Sequence, residues 1–266
     1  MTKQIVVLSG KGGTGKTTVT ASLTALIARE MSLVIADCDV DAPNLHFLLS
    51  PRILHEEDFV GAKLAEIDRE RCIECGECAK VCRFDAIRDM QVRVVKCSGC
   101  GVCAITCPAG AIAMREQVTG KVYLSETKYG MFSHARLQPA SEGSGMLVTM
   151  VRQQAERISK KRDVPLLLID GPPGIGCTAT ASLTGTDLTL IVTEPTLSGI
   201  HDMERVLGLA RHFRVPALIC INQADLNPKN TAHIYERARE WGAEVISEIP
   251  FDRDVPRSIL ARAPLV

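Results

Sequence analysis

The chain has 266 residues, with 31 Lys and Arg against 31 Asp and Glu, so its formal net charge is zero. That length allows one large α/β domain or two smaller ones, and the even balance argues against a general basic surface for nucleic acid or anionic lipid. Hydrophobic residues make up 46% and aromatics only 4%, which requires an aliphatic core and argues against disorder.

Residues 4–8 form a short apolar run, predicted as a strand, and Lys16–Glu30 carries Val19, Leu23, Leu26 and Ile27 at helical spacing. Between them, Gly10-Lys11-Gly12-Gly13-Thr14-Gly15-Lys16-Thr17-Thr18 fits GxxxxGK[ST], placed between strand and helix as a phosphate-binding loop requires. The glycines let backbone N–H groups curl around phosphate oxygens, and the helix start adds its positive dipole end. Lys16 is expected to reach the β- and γ-phosphates, and the Thr17 hydroxyl to bind Mg²⁺.

A second apolar run, 33–36, ends in Asp37-Cys38-Asp39. The βα rhythm then breaks off and resumes with a predicted helix over 145–160. Predicted strands follow at 166–169, 188–192, 217–221 and 245–249, with helices near 203–212 and 231–241. Apolar strands alternating with helices imply a mostly parallel sheet. The alternation over 111–137, with Thr119-Gly120 between its halves, suggests a hairpin leading back into that sheet. The domain boundaries are therefore expected at 1–59 and 119–266 for an α/β domain, with 60–118 inserted into it.

The insert holds the chain's compositional anomaly. Eight of eleven cysteines lie between Cys72 and Cys107. Met1-Thr2-Lys3 leads straight into a strand pattern and no apolar run approaches a membrane span, so neither a signal peptide nor direct membrane insertion is expected. A cytoplasmic location is expected with them, and metal thiolates rather than disulfides. Residues 72–87 align on 97–112 at an offset of 25 with eight identities in sixteen positions, four of them Cys. Two copies of one cluster-binding unit is the natural reading.

Lys11 sharpens the resemblance of the phosphate loop. KGGTGKTT resembles the deviant Walker A of the MinD, ParA and nitrogenase-iron-protein class of ATPases. Asp37-Cys38-Asp39 followed by Asn44-Leu45 is similar to their switch I, and Asp170-Gly171-Pro172-Pro173-Gly174 to their switch II. The resemblance implies that Lys11 reaches the partner's phosphates across a nucleotide-sandwich dimer. It implies that Asp39 orients the attacking water, that Asp37 supports the Mg²⁺ shell, and that Asp170 holds Mg²⁺ through water. Asn222 favours ATP over GTP, with Ile249, Pro250, Phe251 and Asp252 along the base. The cofactors implied are ATP or ADP and Mg²⁺. The partner implied is a second copy or a related ATPase in the ATP state.

Cys72, Cys75, Cys78 and Cys82, then Cys97, Cys100, Cys103 and Cys107, repeat the spacing C-x2-C-x2-C-x3-C. This is the spacing of bacterial two-cluster ferredoxins, in which the fourth cysteine of each run serves the other cluster. The resemblance implies two 4Fe-4S clusters, one on Cys72, Cys75, Cys78 and Cys107, the other on Cys97, Cys100, Cys103 and Cys82. Two zinc sites are the main alternative. Arg83 stands where that pattern usually has proline. Together these features resemble MinD-superfamily P-loop ATPases with an inserted, small α+β ferredoxin-like domain.

Three functions follow from that resemblance. The first is an ATP-dependent dimer switch coupled to electron transfer through the clusters, with an unidentified redox partner. The second is a MinD/ParA-type positioning or assembly ATPase whose clusters are structural or redox-sensing. The third is an iron–sulfur carrier ATPase. Cys177 lies where the nitrogenase iron protein has a bridging cysteine, but the companion ligand expected near 137–145 is missing. Cys38 and Cys220, at predicted strand ends, read as core.

Overall fold

A computed structural model of the chain describes residues 2–139 and 141–266. It divides into two compact units, one of residues up to Glu57 with Val122–Arg136 and Ser144–Val266, the other of Asp58–Lys121 with Leu137–Gly143. The sequence boundaries at 60 and 118 fall inside the second unit.

In chain order the first elements are β1 (Lys3–Ser9), α1 (Lys16–Ile27), β2 (Leu33–Asp37), α2 (Leu45–Leu49) and β3 (Arg52–Ile67). The cysteine-rich stretch gives α3 (Glu77–Lys80), β4 (Ile87–Arg88), β5 (Gln91–Val92) and α4 (Val102–Thr106). Next come β6 (Ile112–Glu126), β7 (Gly130–Leu137), α5 (Ser144–Lys161), β8 (Leu166–Pro173) and α6 (Cys177–Leu183). The chain closes with β9 (Leu188–Thr193), α7 (Leu197–His212), β10 (Ala217–Asn222), α8 (Pro228–Trp241), β11 (Glu244–Ile249) and α9 (Val255–Leu260).

The large sheet runs β11-β10-β9-β1-β8-β2-β7-β6-β3. From β11 to β7 every neighbouring pair is parallel. Central strands of such a sheet are covered on both faces, and β2 is accordingly buried at all five residues. Register sets the chemistry: Val7 lies beside Asp170, Asp170 beside Asp37, and Asp37 beside His134. Four neighbouring strands thus place three titratable side chains on one rung.

The core of the first unit is aliphatic, with Val7, Leu33, Ile35, Leu166, Leu168 and Val192 packed around α1 and α2. Cys38 and Cys220 are buried, and burial pushes both thiols up. Arg152 on α5 is buried, yet its guanidinium donates to the carbonyls of Ala181 (2.9 Å) and Thr184 (2.6 Å) and to Gln4 Oε1 (2.8 Å). A cation against the last carbonyls of α6 satisfies acceptors the helix leaves open and complements its dipole.

Two expectations change. The turn placed at Thr119-Gly120 is not there: both residues are buried within the continuous strand β6, and Gly120 does not take a positive φ. The hairpin closes instead at Lys128-Tyr129, where Thr127 and Gly130 exchange N–H···O bonds of 3.0 and 3.3 Å and the Thr127 side chain caps the loop. The stretch after Pro51 also forms a strand, β3, largely exposed, in which seven charged or histidine side chains interrupt the apolar ones.

In the second unit the repeat is visible in the backbone. Gly76 and Gly101 precede α3 and α4 with φ of 74° and 78°, a conformation in which a side chain would be strained. β4 and β5 pair antiparallel through Asp89 and Met90, both at positive φ, as a tight primed turn demands. The core is small: Ala65, Cys78, Ile87, Cys103 and Ile112.

Candidate functional site

The loop from Gly10 to Thr18 joins the C-terminal end of β1 to α1, which is where a parallel α/β sheet opens its crevice. Gly15, at φ 86°, turns the chain into the helix, and a Cβ there would sit 2.3 Å from Asn222 Nδ2. Asn222, at the end of β10, donates to the Thr14 carbonyl at 2.8 Å and so holds the loop from the opposite strand.

Behind the loop lies a buried polar network. Lys16 Nζ meets Asp170 Oδ1 at 2.8 Å with both side chains almost fully buried. The Thr17 and Thr20 hydroxyls donate to the same carboxylate at 2.8 and 2.9 Å. Burial alone would lower the Lys16 pKa, but Asp170, with Asp39 and Asp37 beyond it, outweighs that and raises it. Asp37 is fully buried and accepts the backbone N–H groups of Asp39 (3.1 Å) and Leu45 (3.3 Å). Burial, then repulsion from Asp170, pushes the Asp37 carboxyl well above its usual range, while Lys16 pulls it down. Asp39 is raised as well, chiefly by burial.

In front of the network is a cavity of about 930 Å³. Gly12, Gly13, Thr14, Gly15, Lys16, Thr17 and Thr18 line it, with Asp39, Asn222, Pro250, Phe251 and Asp252 around the rest of the wall. Phe251 is fixed by its N–H, which donates to Asp225 Oδ1 at 2.6 Å. Gly10, Lys11, Asp37 and Asp170 are not on that wall. Asp37 and Asp170 stand behind it, and Lys11 turns to its own chain, with Nζ 2.6 Å from Glu194 Oε1 and 3.0 Å from Ser198 Oγ.

A nucleotide fits this arrangement on observations of the site itself. Thr14 Oγ1 is buried with no hydrogen-bond partner among the described residues, and a Cβ at Gly12 or Gly13 would meet nothing within 4 Å. Thr20 escaped the sequence reading, as did the contact of Lys11 with Glu194 and Ser198. Thr20 lies four residues after Lys16 on α1, so helical spacing alone carries its signal. Glu194 follows a buried strand at its C-terminal end, as Asp37 ends β2 and Asp170 sits within β8.

The second unit holds two further cavities. Cys72, Cys75, Cys78 and Cys107 line one; Cys82, Cys97, Cys100 and Cys103 line the other. The thiols surround a space rather than a point, and among the described residues no three His, Cys, Asp or Glu are arranged around a single ion. Ala86 N–H donates to Cys82 Sγ and Ala111 N–H to Cys107 Sγ, both at 3.3 Å. Cys177 is exposed at the start of α6, against Gly145.

Residues 5–265 match the family model described as the CobQ/CobB/MinD/ParA nucleotide binding domain. An uncharacterized protein of Methanocaldococcus jannaschii, MJ0578, is 33% identical over 96% of this chain and 87% of its own length. The septum site-determining protein MinD of Bacillus subtilis is 25% identical over 79% of this chain and 59% of its own length. Among solved structures, the septum site-determining protein MinD of Pyrococcus horikoshii complexed with Mg-ADP superposes with a TM-score of 0.61. It covers 99% of this chain and 87% of that one at 17% identity, a likeness of fold. With a phosphate loop, paired acidic strand ends and a match across nearly its whole length, the chain belongs to the CobQ/CobB/MinD/ParA family of nucleotide-binding proteins.

Proposed function

We propose that the protein is a Mg²⁺-dependent ATPase switch of the MinD/ParA kind that acts through partner proteins, and that its cysteine-rich unit holds two 4Fe-4S clusters. The observation that carries the first half is the buried Lys16–Asp170 pair with Thr17 and Thr20 on the same carboxylate. Phosphoryl transfer needs positioned charge more than covalent chemistry. Lys16 is held rigid and charged at the loop. The Thr17 hydroxyl and Asp170 stand together where the metal would be held, with Asp37 behind them. Mg²⁺ when bound would neutralise charge on the phosphate oxygens. Asp39, on the cavity wall, is placed to hold and orient water. Asn222, Pro250, Phe251 and Asp252 would flank the base.

The second half is supported by the two cavities, each walled by four cysteines drawn from both runs. Clusters bound there would supply one-electron redox chemistry. Family membership supports partner-directed switching more than electron transfer, which rests on the cysteines alone. The test has two arms. Mg-ATP binding and turnover are expected in the wild type and lost in Lys16→Ala; retention would overturn the switch. Anaerobic purification is expected to yield about eight irons and matching sulfide per chain. Stoichiometric zinc, or about half that iron, would overturn the cluster assignment. Redox titration with and without nucleotide then separates the two uses of the clusters. A tenfold change in equilibrium constant appears as 59 mV for one electron.

A further inference from the structure

The two copies of the cysteine repeat share a backbone and differ in surface. Positions 25 residues apart can be compared directly. On α3, Glu77 and Lys80 face solvent and pair with each other at 2.7 Å. Their counterparts on α4 are Val102 and Ile105, 43% and 85% exposed. Arg69 and Glu70 precede the first run, whereas Val94 and Val95, 50% and 85% exposed, precede the second. Phe84, also half exposed, lines the cavity of Cys82, Cys97, Cys100 and Cys103 beside Val102 and the exposed Cys100; its counterpart is Ala109. One position runs the other way, with Ile73 exposed in the first copy and Ser98 in the second.

Charge also varies along the unit. Residues 68–80 carry three basic and four acidic side chains, whereas residues 81–106 carry four basic and two acidic. Of the four, Arg88 and Lys96 converge on Asp85 at 2.6 and 3.3 Å. Arg83 and Arg93 are exposed and form no ion pair among the described residues. Scattered exposed aliphatics are ordinary, but here Phe84 and Val102 line one cavity, and Val94, Val95, Ile105, Arg83 and Arg93 lie within four residues of the cysteines that wall it. Exposed apolar side chains with arginines beside them have the anatomy of a binding face.

We propose that the surface flanking the cavity of Cys82, Cys97, Cys100 and Cys103 docks a small acidic electron-carrier protein, one whose own contact surface has an apolar centre ringed by Asp and Glu. Val94, Val95, Val102, Ile105 and Phe84 supply the apolar contact, and Arg83 and Arg93 the charge complement. The carrier class follows from the place: Phe84 and Val102 line the cavity of Cys82, Cys97, Cys100 and Cys103, so the docking rests on reading that cavity as a cluster site. The surface of 68–80, where Glu77 and Lys80 pair with each other, is left to solvent.

The experiment titrates the anaerobically purified full chain with a small acidic two-cluster ferredoxin as the probe, by calorimetry at low and high salt, with iron counted on the same sample. A complex at low salt that weakens with salt is expected. Ile105→Glu and Val95→Glu should each weaken it about tenfold or more, and Arg83→Glu should flatten the salt dependence. Lys80→Glu, the counterpart of Ile105 in the first copy, should change affinity less than about twofold. All four side chains are exposed, so iron content and nucleotide binding serve as fold controls. No complex with about eight irons present, or equal damage from Lys80→Glu, would overturn the docking proposal alone. Self-association abolished by Ile105→Glu would also overturn it, by showing that a second copy covers the face. A sample without iron would overturn the cluster assignment, and docking with it.

Discussion

The phosphate-loop site and the cysteine unit stand in opposite relations to what they bind. Around Lys16 the polar groups satisfy one another: Asp170 takes the ammonium and two hydroxyls, and Asp37 takes two backbone N–H groups. An aliphatic core supports that network. In the second unit two of the five buried core residues are themselves candidate ligands, Cys78 and Cys103, and three of the seven part-buried side chains around them are Cys82, Cys97 and Cys107. One region is a finished structure with its cavity in front; the other has cysteine thiols where a core would be. Small units of that kind depend on a bound group for folding, because too little apolar surface is buried without it.

The largest expected effect tests that contrast directly. On the proposed cluster assignment, chelating the iron should remove amide-exchange protection across 58–121, while Mg-ATP affinity of the first unit stays within about threefold. Equal loss in both units would break the comparison. Cys107→Ser should damage the cluster of Cys72, Cys75 and Cys78 rather than that of its own run.

Next in size is Lys16→Ala. Removing one partner of a buried ion pair leaves Asp170 and Asp37 facing each other, at a cost of about 3–5 kcal/mol. Urea unfolding of the first unit should show it, with the second unit's protection unchanged. A loss below about 1 kcal/mol would mean the network is not as closed as its geometry indicates.

His134 gives a pH-dependent test confined to the first unit. Burial, with a smaller contribution from His46, holds its imidazole down at about 4 against an ordinary 6.5. Its Nε2 lies 2.9 Å from Ser125 Oγ, and Phe132, Tyr123 and His46 stack around it. The unfolded chain therefore takes up the proton first as pH falls. The stability contribution is full above about pH 6.5 and is lost toward pH 4, about 3 kcal/mol in all. His134→Phe should flatten this limb of the urea midpoint against pH, and an unchanged limb would assign it elsewhere.

The smallest effect is at Lys11. It is part-exposed against Glu194, so Glu194→Gln should cost less than about 1 kcal/mol. Lys11→Ala should leave nucleotide affinity of the monomer unchanged while slowing turnover and ATP-dependent dimerisation. Equal loss of affinity in Lys11→Ala and Lys16→Ala would remove the distinction between the two lysines.

Much of the first unit was legible because glycine spacing and buried apolar strands are local signals. β1, the loop and α1 read directly, as did the strand ends carrying Asp37 and Asp170. β3 was not legible, since it is mostly exposed and charged residues interrupt its apolar ones. Thr119-Gly120 misled because glycine marks turns only when it uses a positive φ. The Lys11–Glu194 contact joins residues 183 positions apart, and no local pattern encodes such a meeting. In the second unit the repeat was plain from cysteine spacing, whereas the surface difference between its copies emerged only from exposure.

The shared rung of Val7, Asp170, Asp37 and His134 sets which length changes the chain tolerates. Side chains alternate along a strand, so inserting one residue ahead of Asp37 within β2 would send its carboxylate to the opposite face of the sheet. The same insertion after Asp39 would lengthen a loop and leave the rung intact, at a closure cost that grows only slowly with length. Deletion scanning should therefore find β2 and β8 intolerant up to the rung and permissive beyond it. Variation among descendants of such a gene would collect downstream of the acidic strand ends and be purged upstream of them.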